Sequence, residues 1–175
     1  MKVGLCAMIM SFAFCGQAQP PTTRSQDFAS WREFFTSVAK ELDFTDKSPD
    51  RIFDLATDSD VENLPGSDLL VLVRPNLYSL LKGQTLYNQL RGSANNGPFY
   101  LLKRTDKGLY LIGRMEGNQC KSTGIVSRDK QTPRHTFECT WHMSAVSYNV
   151  ARYDTDGQTL NHLETYSVEN GKRKP

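Results

Sequence analysis

The sequence predicts an α+β protein in which N-terminal helices pack on a curved antiparallel β-meander of about five or six strands. Three observations carry that expectation. Aromatic and aliphatic residues recur at helical spacing between Gln26 and Leu42. From Phe99 onward the pattern changes to the two-residue period of half-buried strands, punctuated by turn residues. Within that second region Cys120 and Cys139 fall where two neighbouring strands would place them opposite each other.

The N-terminus comes first. Residues 1–18 read as a secretory signal: Lys2 supplies a positive start, Val3 to Phe14 an apolar stretch, and Gly16-Gln17-Ala18 small residues for cleavage near Gln19. The apolar stretch is too short to span a bilayer, and no later segment reaches the required length. Phe14 precedes Cys15 where a lipid-modified signal favours a small residue, which argues for simple cleavage and an exported, periplasmic or extracellular protein. Residues 19–25 form a flexible leader, residues 26–170 one domain, and residues 171–175 a basic tail. The 175-residue chain is long enough for one sizeable core.

A helix is expected from Gln26 to Leu42, capped at Thr23 or Ser25, with Phe28, Trp31, Phe34, Phe35, Val38 and Leu42 on its packing stripe. A second starts at Ser48 with Pro49 in its first position and carries Ile52, Phe53 and Leu55. Asp58, Asp60 and Glu62 alternate as calcium ligands would. An EF-hand loop requires Gly and Glu where Asn63 and Leu69 stand, so a solvated acidic loop is the expectation. Leu69 to Val73 reads as a short buried strand, and Asn76 to Leu90 as one or two helices broken at Gly83.

Strands at Phe99–Arg104 and Leu109–Arg114 are joined by Thr105-Asp106-Lys107-Gly108. Pairing Cys120 with Cys139 sets Lys121 against Glu138, Thr123 against Thr136 and Val126 against Pro133, with the turn at residues 128–131. Phe137, Cys139, Trp141 and Met143 then share one face, and Thr136, Glu138, Thr140 and His142 the other. In an exported protein that geometry predicts a disulfide. Val146, Tyr148 and Val150 alternate on the next strand. Thr159 to Val168 forms the last, with Leu160, His162, Glu164 and Tyr166 on one face, and Asn170-Gly171 ends the structure. Cystatin-like, NTF2-like and partly closed barrel arrangements all fit this order.

Function is less legible. The chain lacks a Gly-x-Ser-x-Gly elbow, a phosphate-cradling glycine loop and a dinucleotide fingerprint, and nothing in it calls for a cofactor. Removing residues 1–18 lowers the formal net charge from +2 to +1, which gives no support to nucleic-acid binding. Tyr100, Arg104, Tyr110, Arg114, Tyr148 and Arg152 are strand-borne residues of the types favoured at protein interfaces. They point to a non-enzymatic protein that binds another protein, as an inhibitor or toxin-neutralising immunity protein does. A carrier is the alternative, holding a small apolar ligand between sheet and helices against Phe35, Leu81, Leu111, Phe137 and Trp141. A metal-dependent hydrolase would need His142, His162, Glu138 and Glu164 to converge.

Overall fold

Helices, sheet and second sheet form three successive layers. The computed structural model describes residues 27–42, 48–76, 97–126 and 133–174. Its elements in order are β1 (Asp27–Phe28), α1 (Trp31–Glu41), α2 (Pro49–Asp58), β2 (Asp60–Asn63), β3 (Leu70–Arg74), β4 (Gly97–Thr105), β5 (Gly108–Gly117), β6 (Gln119–Val126), β7 (Arg134–His142), β8 (Ser147–Thr155), β9 (Leu160–Glu169) and β10 (Lys172–Arg173). Sheet A runs β1-β5-β4-β3-β2 and sheet B runs β10-β9-β8-β7-β6, with every pairing antiparallel. The α+β class with helices preceding a long antiparallel region is what the sequence predicts. The strands divide into two sheets, and neither closes into a barrel.

Helix α1 begins later than its apolar stripe suggests. The Ser30 hydroxyl accepts a hydrogen bond from the Glu33 N–H (3.3 Å), and the Glu33 carboxylate accepts one from the Ala29 N–H (2.7 Å). This capping box satisfies donors that a start at Gln26 would leave to solvent. Asp27 and Phe28 are consequently a strand, paired with Tyr110 and Leu109 of β5. The Phe28 ring still meets Phe34 edge-on at 5.5 Å, so the stripe packs as one unit although its first member is not helical. Helix α2 starts at Ser48-Pro49 as predicted and buries Ile52 and Leu55, while Phe53 turns outward and is 68% exposed.

The chain builds two cores, separated by sheet A. Phe34, Phe35, Val38, Ile52 and Leu55 pack against Val71, Val73, Tyr100 and Leu102 on one side. Leu70, Leu72, Phe99, Leu101, Ile112 and Met115 pack on the other side, against Phe137, Cys139, Ala151, Tyr153 and Leu160 of sheet B. Strands β3 and β4 are thus covered on both faces. That is why Leu70–Val73 and Phe99–Leu102 are continuous apolar runs, whereas β7 of sheet B alternates from Phe137 to His142, its inward residues alone meeting sheet A.

The chain crosses from sheet A to sheet B at Gly117-Asn118, where the Asn118 N–H bonds the Thr140 carbonyl at 2.8 Å. A Cβ on Gly117 would sit 2.7 Å from that carbonyl oxygen, so the corner admits only glycine without displacement of backbone. The Cys120–Cys139 disulfide forms as predicted, buried between the sheets, with Lys121 opposite Glu138. A bulge at Thr123 then shifts the register, so Val126 faces Arg134 and not Pro133. The Thr123 and Thr136 hydroxyls nonetheless bond at 2.8 Å.

Three other expectations are corrected. Asp60–Asn63 is not a loop; it is edge strand β2, whose exposed, acidic residues lack the apolar pattern of a strand. Asn170-Gly171 does not end the structure. Both residues have positive φ (50° and 73°) and turn the chain back into β10, so part of the basic tail belongs to the sheet. In β9 a bulge at Leu163 reverses the parity, so Leu160 packs into the inter-sheet core while Glu164 and Tyr166 point away from it. The predicted helices within residues 77–90, the turn at 128–131, the signal and the leader lie outside the described residues.

Candidate interaction face

Sheet B has one face against sheet A and one face that no described element covers. The alternation that buries Phe137 and Cys139 turns Glu138, Thr140 and His142 outward, and register then fixes their neighbours. One row across the sheet reads Lys121, Glu138, Arg152, Glu164. The next reads Gln119, Thr140, Val150, Tyr166, and the third His142, Tyr148, Val168. Arg173 on β10 pairs with Val168 and extends the third row.

The first row is a ladder of alternating charge. The Arg152 guanidinium lies 2.9 Å from Glu164 and 3.5 Å from Glu138, and Arg173 reaches Glu164 from the other side at 2.7 Å. The hydrogen bonds from Arg152 and Arg173 hold the Glu164 carboxyl below the usual carboxylate range. Arg173 also stacks on the Tyr166 ring, 4.0 Å from its centroid, and His142 lies against Tyr148 with ring centroids 5.8 Å apart. Between the rows Tyr148, Val150, Tyr166 and Val168 floor a depression of about 190 Å³, rimmed by Gln119, Lys121, Glu138 and Thr140. Beyond the ladder the Asp154 carboxylate accepts two hydrogen bonds from Arg134 (2.8 and 2.7 Å) and one from Asn161 (3.0 Å). The face can therefore offer aromatic anchors held in place by an ion-pair frame.

The interface residues singled out in the sequence do not form one surface. Tyr148 and Arg152 lie on this face. Tyr100 is 1% exposed in the helix-side core, its pKa raised by burial first and by the nearby Glu41 carboxylate second. Arg114 lies near it, ion-paired to Glu41 and Glu116, and ties β5 to the end of α1. Arg104 bonds Asn63 at 2.8 Å on sheet A, and Tyr110 packs against the inter-sheet core. Tyrosine and arginine on strands mark packing as readily as binding, and only the register separates the two.

Glu138 and Glu164 come together, but around Arg152. His142 pairs with Tyr148 and His162 with Tyr153, five residues apart along β8, or about 16 Å. No group of three or more His, Cys, Asp or Glu side chains among the described residues could hold a metal. The predicted carrier cavity is also divided: Phe35 and Phe137 lie on opposite sides of sheet A, and Leu81 is outside the described residues. His135, two residues past Pro133, is 6% exposed, with its Nδ1 unpartnered among the described residues and its pKa lowered by burial.

Sequence reasoning missed the Arg173–Tyr166 contact and a cleft. The cleft, of about 440 Å³, opens where β2 and β3 overhang β6 and is lined by Asp60, Glu62, Leu72, Arg74, Phe99 and Cys120. No signal short of the register of β2 could have assembled it.

No helix among the described residues is long and apolar enough to cross a membrane. The chain matches no protein-family model, no curated protein and no solved structure, and the case for its function rests on the chemistry of the face itself.

Proposed function

We propose that this is an exported, non-enzymatic binding protein that docks on another protein, as an inhibitor or immunity protein does, through the outer face of sheet B. The observation that supports the reading most directly is the joint placement of Tyr148, Tyr166, Arg152 and Arg173 on a single sheet face that no described element covers. Tyrosine and arginine bring large contact area and directional hydrogen bonds at low ordering cost, and a shallow apolar depression beside them gives a partner side chain a seat. Export is supported by the signal-like residues 1–18 and by a disulfide, which persists in oxidising compartments.

Native mass spectrometry of protein purified gently from its host tests the reading. A co-purifying protein is expected, and it should be lost from a Tyr148→Ala/Arg152→Ala/Tyr166→Ala variant that keeps the wild-type unfolding midpoint. Retention of the partner by that variant would overturn the assignment of the face. The cleft beside β2 favours a second reading, a small-ligand carrier, now sited between the two sheets. Its charged rim suits an amphipathic ligand better than a wholly apolar one. A small added mass in the same spectrum, without a partner protein, would favour it.

A further inference from the structure

One end of sheet B combines exposed apolar residues with exposed basic ones. The β7–β8 hairpin turns through Met143, Ser144, Ala145 and Val146, closed by hydrogen bonds from the Met143 and Ser144 N–H groups to the Ser147 carbonyl (2.9 and 3.0 Å). Met143 is 68% and Val146 56% exposed, among the most exposed apolar side chains described. Residues 141–151 contain no acidic side chain. The β9–β10 turn lies directly beside this tip, joined to it by the Asn170 N–H and the Val146 carbonyl at 2.9 Å. It carries Lys172, Arg173 and Lys174, all exposed.

The carboxylates near this end are already engaged. Glu169 pairs with Lys174 at 2.8 Å, Glu164 with Arg152 and Arg173, and Glu116 with Arg114. Among the described residues Lys172 has no ion-pair partner, and His142 stands exposed beside the tip.

We propose that these paired hairpin tips are a docking site for an anionic lipid surface, with Met143 and Val146 entering the headgroup boundary and Lys172 and Lys174 against the lipid phosphates. Apolar side chains projecting beyond a basic rim meet both demands of such a surface, and cations near it add attraction that salt screens. A protein partner fits this end less well. Two short convex turns offer far less than the roughly 800 Å² per side of a stable protein interface, whereas a bilayer accepts a small wedge. The site adjoins the protein-binding face, with which it shares β10, and docking here would set that face's orientation to the membrane.

Vesicle flotation at low salt tests it, using the protein as its host produces it. Vesicles of phosphatidylcholine mixed with phosphatidylglycerol should carry the protein upward, and phosphatidylcholine alone should not. Binding should fall at least tenfold in Met143→Ser/Val146→Ser and in Lys172→Glu/Lys174→Glu, and in wild type at high salt. Both pairs are exposed and the Lys174–Glu169 pair is a surface one, so thermal unfolding should change little; the single variants Met143→Gln and Lys172→Glu repeat the test if a double variant unfolds. Failure of the wild type to float with anionic vesicles would overturn the proposal, as would tip variants that float as well as wild type. If vesicles are not bound but the tip variants lose the co-purifying protein, the tip belongs to a protein interface instead and the lipid proposal falls.

Discussion

Breaking the Cys120–Cys139 bridge isolates the contribution of covalent closure from that of packing. Both sulfurs lie between the two sheets, at 6% and 0% exposure, beside Phe137 and Phe99. Reduction therefore leaves two thiols in an apolar setting that free cysteine tolerates, and the sheet contacts persist. What changes is the unfolded chain, which regains the freedom of a loop closed over a sequence separation of 19. Chain entropy assigns that loop about 3 kcal/mol. At roughly 2–4 °C per kcal/mol for a domain of this size, the midpoint should fall by about 6–12 °C. Because the bridge is buried, reduction is carried out in denaturant before refolding, and thermal unfolding of both forms is compared at one pH. Coincident midpoints would refute the argument that the bridge stabilises through the unfolded state. A Cys120→Ala/Cys139→Ala variant should lose more than the reduced protein, because it also removes two buried sulfur atoms.

Other outcomes follow from single residues. Phe34→Ala removes a ring that contacts Phe28, Trp31, Phe35 and Tyr100 and should cost about 3–5 kcal/mol by urea denaturation; a loss under 1 kcal/mol would mean the helix layer is not packed as described. Gly117→Ala forces a methyl group against the Thr140 carbonyl and should cost about 1–3 kcal/mol, with the loss confined to that corner in amide exchange. His135 is held neutral by burial, so its folded pKa lies below the unfolded value of about 6.5. The unfolded state then binds more protons in that window. His135 contributes stability that is present above about pH 6.5 and lost as the pH falls from there through the lowered folded pKa. His135→Leu should flatten the decline in urea midpoint between about pH 7 and pH 5, and equal slopes in both proteins would remove His135 as its source.

How far the fold was legible depended on how each strand is buried. Phe137, Cys139 and Trp141 alternate with Glu138, Thr140 and His142 because sheet B has one dry face, and that alternation fixed the strand, its partner and the disulfide. Leu70–Val73 was legible as a buried strand for the opposite reason, being covered on both faces. Strand β2 was hidden because its side chains are all exposed; backbone pairing to β3 and the Arg104–Asn63 hydrogen bond hold it without any apolar pattern. Bulges at Ile112, Thr123 and Leu163 were invisible, since one inserted residue changes parity without changing composition. The bulge at Leu163 is what separated His162 from Glu164 and dispersed the imagined metal cluster. The helix start moved for a local reason, the capping box at Ser30-Glu33. The candidate face was only half legible. Tyr148 and Arg152 could be named from the sequence, but Tyr166 joined them through the β8–β9 register past the Leu163 bulge, and Arg173 only when a turn at Asn170-Gly171 folded β10 back.

The central claim is that sheet B, and not the helix layer, meets the partner. A photo-crosslinking amino acid placed at Tyr148 in one variant and at exposed Phe53 of α2 in another, irradiated in the producing host, tests it directly. The account predicts a discrete protein adduct from Tyr148 that weakens with Arg152→Ala, and none from Phe53. An adduct from Phe53 with none from Tyr148, or none from either position, would contradict it.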